Sequence, residues 1–395
     1  MNMRVLIVTP TMDFRFGGPP RVVNGSAVAL ARAGCEVEVA TMGDIGEASG
    51  IREAWPEMAE ARIPVHIFSR GFPRQIGRSR GLSEFVKANL DRFDVLHVHC
   101  VWETGLADAA AIFRKAGKPV LVSAHGMLVR WELRQSRLKK RIARTFFGTG
   151  ALLNRSDAVL YGTQEEADEA SQLRLASRVV LMPNGATPLH IADSSAAREL
   201  VLEKFPVMRD WKRTILYFSR LHHKKGLDLL VEAFGRVYPE FPGAGLFAAA
   251  IAQELEFEAQ VRAQIAAMGD PPIILTTAMS GPSARVVFTV GDIFSLPSHQ
   301  EGFSIALLEA ASAGLPLLIT DTCHMPEVAD EGAGVVVPVT VDGLEDGLRR
   351  LLSLDDAALA EMGRRAAEVV AARYTWESVA ARLIAVYSAA VADKA

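Results

Sequence analysis

Short apolar runs alternate with longer amphipathic segments along the chain. The runs are three to five residues long, rich in Val, Ile and Leu, and continuous, which is typical of parallel strands buried on both faces of a sheet. The amphipathic segments between them predict connecting helices. The predicted strands are residues 4–8, 36–40, 65–68, 95–98, 120–123, 158–161, 179–181, 214–218, 273–275, 293–296, 316–319 and 335–337. The pattern therefore predicts an α/β protein.

One interruption divides this pattern. Pro183, Asn184 and Gly185 form a turn signal that a polar segment follows, so we expect two doubly wound, Rossmann-like domains over residues 1–184 and 185–374. The terminal segment 375–395 has apolar residues at helical spacing, and we expect it to pack back on the N-terminal domain. Open parallel sheets bind ligands at the carboxyl ends of their strands, so the expected site is the cleft between the two domains.

Composition narrows the class of protein. The 395 residues include 43 basic and 46 acidic side chains, a net charge of −3 that argues against a nucleic-acid partner. Cys35, Cys100 and Cys323 are far apart, which favours neither disulfides nor a zinc site, and we expect a cytoplasmic protein without a metal. No apolar stretch reaches the roughly 20 residues of a membrane span, so any membrane contact is expected to be peripheral.

Two glycines follow the first predicted strand. Gly17 and Gly18 precede a proline at the start of a helix, where the backbone can approach a ligand and unpaired amides can hold a phosphate or a sugar hydroxyl. An ordinary tight turn is the alternative interpretation.

Histidines mark two further strand ends in the N-terminal domain. His97 and His99 lie on one face of a strand by its period of two, and we interpret them as structural. His125 ends the next strand, and the glycine after it indicates a close backbone approach, so we favour a functional role for His125.

A cationic loop follows the first predicted strand of the C-terminal domain. Arg220, Lys224 and Lys225 lie between a buried strand and a helix, where the helix dipole disfavours cations unless an anion completes the site. The forked donors of Arg and the point charge of Lys suit a diphosphate. A solvated basic loop is the alternative.

Two carboxylates lie at or just before a predicted buried helix. Glu309 is the only charged residue between positions 303 and 313, and a buried carboxylate needs a partner, which a ribose diol would supply. Glu301 precedes this helix and would face the same ligand as the backbone amides of the next four residues, Gly302, Phe303, Ser304 and Ile305. This arrangement favours a sugar diphosphate, and a structural pairing of Glu309 with a basic side chain is the alternative.

Two basic stretches lie in the N-terminal domain. Residues 130–147 contain seven Lys and Arg but a single Glu, with apolar residues interleaved, and predict one basic amphipathic helix. Arg70, Arg74, Arg78 and Arg80 form the second stretch. We expect the helix to bind an anionic membrane surface, and a solvated face is the alternative.

Together these pieces resemble glycosyltransferase family 4, the retaining enzymes of GT-B fold. The most specific part is the pair Glu301 and Glu309, eight positions apart, in a motif that continues through Gly314 and Pro316. Five other segments resemble further parts of the family. Residues 219–226 resemble the diphosphate clamp, residues 17–18 the glycine loop and residues 123–126 the strand-end histidine. Residues 183–185 resemble the hinge, and residues 374–377 the start of the terminal crossing helix. One region departs from the family: residues 246–253, where relatives carry a glycine-rich turn near the nucleotide, contain no glycine.

The resemblance implies a GT-B cleft that binds a UDP- or GDP-sugar as donor substrate, with no cofactor and no metal. Arg220 and Lys225 would neutralise the diphosphate, and Glu309 would bind the ribose. Glu301 would hold the transferred sugar or support positive charge on it, and His125 would contact that sugar or its phosphate. The acceptor would be a glycan or a lipid-linked molecule in cell-surface polysaccharide or exopolysaccharide synthesis, on the cytoplasmic side of the membrane. A non-catalytic assembly subunit that binds sugar nucleotides and a sugar-nucleotide epimerase of the same fold remain the alternatives.

Overall fold

The computed structural model of the protein describes residues 3–43, 48–186, 194–277 and 282–394. It divides into two compact units, Met1–Gly185 with Trp376–Ala395, and Ala186–Thr375. We call them the N-terminal unit and the C-terminal unit. Most of the polar segment after the predicted turn, residues 187–193, lies outside the described residues.

The N-terminal unit is built on a seven-stranded parallel sheet in the order β3-β2-β1-β4-β5-β6-β7. Its strands are β1 (Arg4–Thr9), β2 (Glu36–Met42), β3 (Val65–Phe68), β4 (Val95–His99), β5 (Val120–Ser123), β6 (Ala158–Tyr161) and β7 (Arg178–Leu181). Its helices are α1 (Gly18–Arg32), α2 (Ala48–Ala54), α3 (Pro56–Glu60), α4 (Arg80–Ala88), α5 (Thr104–Lys115), α6 (Arg130–Arg134), α7 (Arg137–Phe146), α8 (Thr149–Arg155) and α9 (Gln164–Ala170).

The C-terminal unit repeats this architecture with six parallel strands in the order β10-β9-β8-β11-β12-β13. Its strands are β8 (Arg213–Leu221), β9 (Ala244–Ala252), β10 (Ile273–Thr276), β11 (Ile293–Leu296), β12 (Leu317–Thr320) and β13 (Gly334–Val337). Its helices are α10 (Ser194–Lys204), α11 (Leu227–Val237), α12 (Leu255–Ala267), α13 (Ile305–Ser312), α14 (Glu327–Asp330), α15 (Val341–Leu352) and α16 (Asp356–Arg373). The predicted fold class, two doubly wound α/β domains, is confirmed.

Burial explains why the strands could be recognised from the sequence. Every residue of β5, β6, β11 and β12 is buried, as expected for central strands covered by helices on both faces. On α11 the predicted stripe at positions 227, 230, 231, 234 and 237 is buried as well. In the part of the chain that the structure describes, no helix is both long enough and apolar enough to cross a bilayer.

The last helix, α17 (Trp376–Ala392), returns to the N-terminal unit. Its Trp376 ring lies against Gly25 of α1. A Cβ on residue 25 would lie 2.1 Å from an atom of this ring. Val379, Leu383 and Tyr387 of α17 are buried at helical spacing. The absence of a side chain at Gly25 therefore makes room for the tryptophan that starts the terminal helix.

Two sequence expectations need correction. The glycine-free segment 246–253 is not a loop, because all but its last residue belong to β9. The single helix expected over residues 130–147 is two helices, α6 and α7, separated at Ser136, whose backbone is left-handed (φ 49°, ψ 38°). Lys140 reaches back to the backbone carbonyl of Glu132, whereas a straight helix would hold residues eight apart at about 12 Å, so this contact requires the break.

Candidate active site

The cationic loop after β8 is held against the segment that follows β11. The loop turns through a short 3-10 helix, His223–Lys225, into Gly226, whose φ is 67°. A Cβ on Gly226 would lie 2.0 Å from the carbonyl oxygen of Pro297. The amide of His299 donates to the carbonyl of Lys224 over 2.8 Å. The two loops therefore meet through their backbones, and only glycine allows the approach.

This approach brings Lys225 and Glu301 together. The ammonium of Lys225 donates to Oε1 of Glu301, and the hydroxyl of Ser298 donates to the same oxygen over 2.7 Å. Both charged side chains are buried. Burial raises the pKa of Glu301, but the charges of Lys225 and Lys224 and the two hydrogen bonds outweigh it, so the net pKa is lowered. The carboxylate of Glu301 is consequently ionised at neutral pH.

Arg220 lies at the end of β8 but does not join this pair. Its Nη1 donates to Oε1 of Gln253, just after β9, over 3.1 Å. Among the described residues no carboxylate forms an ion pair with Arg220, and the side chain is partly exposed. Of the two side chains expected to neutralise a diphosphate, Lys225 is therefore already paired with a carboxylate, whereas the charge of Arg220 is available to an anion.

Glu309 has a protein partner that the sequence reasoning did not identify. The carboxylate is buried in α13, and its Oε1 accepts hydrogen bonds from Nε (3.0 Å) and Nη2 (2.6 Å) of Arg285. The alternative considered from the sequence, pairing with a basic side chain, is therefore what the structure contains. A signal was present, because Arg285 is the only Lys or Arg between Asp270 and Ser298. The ribose-binding role of Glu309 stays a prediction.

The segment of predicted phosphate-binding amides is mostly loop. Helix α13 begins at Ile305, so Gly302, Phe303 and Ser304 precede it, and Ser304 occupies the N-cap without a capping bond from its hydroxyl. The Phe303 ring packs against Tyr374 with centroids 5.1 Å apart. The amides at the start of the helix that lack intrahelical partners are those of Ile305, Ala306 and Leu307, since the amide of Leu308 donates to the carbonyl of Ser304.

In the N-terminal unit, three histidines form a chain at the ends of β4 and β5. His97 binds the hydroxyls of Tyr387 (2.7 Å) and Ser123 (2.8 Å) through its two ring nitrogens, which agrees with the structural role expected for it. Nδ1 of His99 and Nε2 of His125 share a hydrogen bond of 2.9 Å. His125 has a left-handed backbone (φ 53°), which is unusual for a residue with a side chain and turns the chain sharply there.

The histidine chain is uncharged. Burial lowers the pKa of His97 to about 3 and that of His125 to about 4, and it holds the pKa of His99 well below its ordinary value. His99 is buried, and its Nε2 has no hydrogen-bond partner among the described residues. The interpretation of His99 as purely structural therefore overlooked its contact with His125.

The loop of His125 has a further support that the sequence analysis missed. The buried carboxylate of Glu166, in α9, accepts from the amide of Gly126 over 2.6 Å and from the amide of Gly162 over 2.8 Å. It thereby joins the loops after β5 and β6. No periodic pattern marks such a residue, since its partners are backbone amides, one of which lies 40 positions away in sequence.

Gly17 and Gly18 lie at the same edge of the same sheet as His125, after β1. Gly17 is the N-cap of α1 with φ 97° and ψ −128°, a conformation that favours glycine. A Cβ on Gly18 would meet no atom within 4 Å, so there is open space at the start of the helix. This geometry agrees with a loop that a ligand approaches closely, and the binding role of the two glycines stays a prediction.

A cluster of potential metal ligands lies beside the cationic loop. Among the described residues, His222, His223 and Glu254 are the one group whose potential ligand atoms all lie within 4.8 Å of one another. Glu254 contacts both imidazoles, each over 3.1 Å, and accepts from the amide of His223. The carboxylate accounts for the position of both rings, and the expectation that no metal is required stays a prediction.

Two family models match the chain. Residues 17–185 match the glycosyl transferase 4-like domain, and residues 212–354 match the glycosyl transferases group 1. A D-inositol 3-phosphate glycosyltransferase from Segniliparus rotundus is 25% identical over 95% of this chain and 85% of its own length. A GDP-mannose:cellobiosyl-diphosphopolyprenol alpha-mannosyltransferase from Xanthomonas campestris is 27% identical over 98% of this chain and 97% of its own.

Solved structures resemble the whole chain. HepE from Anabaena, in complex with UDP and glucose, superposes with a TM-score of 0.77 at 17% identity, covering 98% of this chain and 100% of that one. A sucrose-phosphate synthase from Thermosynechococcus elongatus has a TM-score of 0.71 at 19% identity, covering 99% and 100% of the two chains. At these identities the likeness shows the shared GT-B fold.

Proposed function

The chain belongs to the group 1 glycosyltransferases with a glycosyl transferase 4-like N-terminal domain, and from this premise we propose that it transfers a hexose from a nucleoside-diphosphate sugar, with retention of configuration and without a metal ion. The acceptor is a glycan or a lipid-linked saccharide, and the product belongs to cell-surface polysaccharide or exopolysaccharide synthesis. The protein acts in the cytoplasm, peripherally at the inner face of the membrane.

One observation carries this proposal. Lys225 and Glu301 are 76 positions apart, yet they meet in a buried ion pair at the carboxyl ends of β8 and β11. Ligands of open parallel sheets bind at this edge. An ionised carboxylate and a cation in contact provide, in one place, an acceptor for sugar hydroxyls and a positive charge for the adjacent phosphate.

The other polar groups of the C-terminal unit bind different parts of the donor. Arg220, which has no carboxylate partner among the described residues, receives the diphosphate with Lys225, while Glu301 binds hydroxyls of the transferred sugar. Glu309 binds the ribose, and Arg285 holds its carboxylate in place through two bonds to Oε1, the oxygen facing the guanidinium. The amides of Gly302 to Ile305 lie beside Glu301 in sequence and complete the phosphate contacts.

The reaction breaks the bond between the anomeric carbon and the diphosphate and forms a bond from that carbon to an acceptor oxygen. The acceptor proton passes to the departing diphosphate, so the protein supplies charge stabilisation and positioning and no proton of its own. His125 is neutral, because burial lowers its pKa to about 4, and it contributes a hydrogen bond to the sugar or its phosphate. Gly17 and Gly18 let that part of the ligand approach the start of α1.

A thermal-shift panel of UDP-, GDP- and ADP-sugars tests the donor, because a ligand that binds only the folded state raises the melting temperature. We expect one nucleotide series to raise it and the others to have little effect. Hydrolysis or transfer of the stabilising donor should persist in EDTA, and the product followed by NMR should keep the anomeric configuration of the donor. If no sugar nucleotide stabilises the chain, the proposal fails. If one stabilises it but is neither hydrolysed nor transferred with any acceptor, a non-catalytic assembly subunit replaces it.

A further inference from the structure

One face of α7 carries three large apolar side chains in a line. Leu138, Ile142 and Phe146 are spaced four residues apart, so they share one face of the helix. Their exposed fractions are 71%, 38% and 76%, and no residue of α7 is buried. Single exposed apolar side chains are ordinary on protein surfaces, but a contiguous stripe indicates a contact that the isolated chain does not make.

The opposite face of α7 is anchored to the N-terminal unit. Lys140 lies about 160° around the helix from the middle of the stripe at 3.6 residues per turn. Its ammonium donates to the backbone carbonyl of Glu132, lies 3.6 Å from the carboxylate of Glu132 and 5.3 Å from the centre of the Trp102 ring. These contacts fix the rotation of the helix, so the stripe faces away from the residues that hold it.

Cations without partners flank the stripe. Lys139 and Arg141 lie on its two sides, about 60° and 100° from its middle at the same helical pitch. Within the described ranges of the chain, no carboxylate forms an ion pair with either of them or with Arg137 and Arg144. Glu132 is the only acidic residue between positions 130 and 147, and it is bound to Lys140. The outward face of α7 therefore combines apolar side chains with uncompensated positive charge.

The second basic stretch does not extend this surface. Arg70 pairs with Glu103, Arg78 with Asp108 and Arg80 with Glu84. Carboxylates of the N-terminal unit thus neutralise most of the positive charge of this stretch. In the sequence it nevertheless resembles the basic stretch at residues 130–147. The positive surface is consequently local to α6 and α7.

We propose that α7 docks the N-terminal unit on an anionic phospholipid surface. Leu138, Ile142 and Phe146 enter the boundary between headgroups and acyl chains, while Lys139 and Arg141 reach lipid phosphates on either side. A stripe of three side chains is far smaller than a stable protein interface requires, whereas shallow insertion and charge attraction add together at a membrane. The inference concerns a surface outside the candidate active site and holds whether or not the proposed donor is correct.

Co-sedimentation of the full chain with vesicles tests this proposal. We expect binding to phosphatidylcholine vesicles that contain phosphatidylglycerol, little binding to phosphatidylcholine alone, and weaker binding as salt is raised. The Lys139→Ala/Arg141→Ala variant should bind roughly 30-fold more weakly. The Leu138→Ser/Ile142→Ser/Phe146→Ser variant should lose binding at moderate salt, where charge alone does not suffice.

A matched control removes three exposed apolar side chains elsewhere, Leu200→Ser/Val207→Ser/Leu255→Ser in the C-terminal unit, and should bind as the parent chain does. Unchanged melting temperatures show that each variant is folded. Equal binding to neutral vesicles, no binding to either kind, or full binding by both α7 variants would overturn the proposal. Self-association without lipid that the α7 apolar variant abolishes would also overturn it, because the stripe would then be a contact between copies.

Discussion

The two units place polar side chains at the same edge of similar sheets, but they bury them in different states. The C-terminal unit pairs each of its two buried site carboxylates with a cation, Glu301 with Lys225 and Glu309 with Arg285. The N-terminal unit buries imidazoles that stay neutral, in the chain of His97, His99 and His125. A buried charged group needs a countercharge or several hydrogen bonds, such as those Glu166 accepts from two amides, whereas a neutral ring needs only ordinary hydrogen-bond partners.

This difference indicates a division of labour. A departing diphosphate is strongly negative, so the unit that contains Lys225 and the guanidinium of Arg220 suits the leaving group. Sugar hydroxyls carry no charge, and neutral nitrogens bind them without the cost of desolvating an ion. Four changes, given in order of decreasing effect, test whether the two units differ in this way.

Removing the cation from the buried pair should have the largest effect. Lys225→Ala leaves the Glu301 carboxylate buried without its countercharge, which costs about 3–5 kcal/mol of unfolding free energy, and we expect turnover to fall by well over tenfold. Urea unfolding and initial rates of donor consumption measure the two effects. Lys212→Ala, an exposed lysine in the same unit, serves as the control and should change neither. A stable, active Lys225→Ala variant would contradict the assigned role.

Mild acid should destabilise the N-terminal unit before the C-terminal unit. His97 and His99 have folded pKa values far below those in an unfolded chain, so unfolding takes up protons once the pH falls below about 6.5. Each contributes a loss of about 1.4 kcal/mol per pH unit until the folded pKa is reached, near 3 for His97. The lowered pKa of Glu301 acts in the same direction but at lower pH, because the stability it contributes is lost only as the pH falls below the unfolded pKa of a glutamate.

Hydrogen exchange resolved by peptide between pH 7 and pH 5 compares the two units. We expect protection to fall more steeply in β4 and β5 than in β8 and β11. Burial also lowers the pKa of His222 in the C-terminal unit, but that side chain is partly exposed and should add a shallower slope. Equal slopes in the two units would mean that the buried histidines are not the neutral groups described above.

Neutralising the carboxylate while keeping its shape should affect the reaction more than the fold. Glu301→Gln retains an acceptor for Lys225 and Ser298 but lacks the charge, so we expect turnover to fall at least tenfold, about 1.4 kcal/mol of barrier, with a smaller loss of stability than in Lys225→Ala. Glu368→Gln, a change at an exposed carboxylate, is the matched control. Wild-type turnover in Glu301→Gln would remove Glu301 from the site.

The smallest effect is expected from a substitution in the chain of neutral histidines. His99→Gln replaces the ring that bonds to His125, and the loss of one neutral hydrogen bond of about 1 kcal/mol should lower kcat roughly fivefold. Because His99 acts through His125, kcat should fall while the affinity for the nucleotide alone stays constant. His66→Gln, at the edge of the same sheet, is the comparison and should leave kcat unchanged. A shift in nucleotide affinity instead would indicate general damage to the unit.

The fold was accessible from sequence because parallel strands buried on both faces leave continuous apolar runs, and each predicted strand is present. The long strand Ala244–Ala252 was not among the predicted ones, because alanine is a poor strand former and its run is equally compatible with a helix. The break at Ser136 was missed for a related reason: no glycine or proline marks it, and a contact of Lys140 with Glu132 makes it necessary.

The candidate site was accessible only in part. Glu301, Lys225 and Glu309 were found because charge in a buried context needs an explanation. Arg285, the partner of Glu309, was not found, and neither was Gln253, the partner of Arg220, since each becomes a neighbour only after folding. His99 shows the same limit, because its position in a strand gives no information about the ring opposite it.

The close approach at Gly226 sets a limit on how this protein can be altered. A single methyl group there would push against the carbonyl of Pro297, so the spacing between the two loops depends on one missing carbon. A mutagenesis library aimed at new donor preferences can vary the neighbouring histidines, but every clone that replaces this glycine is expected to lose the registration of both loops at once. The most restrictive position for redesign is thus one that contributes no chemistry itself.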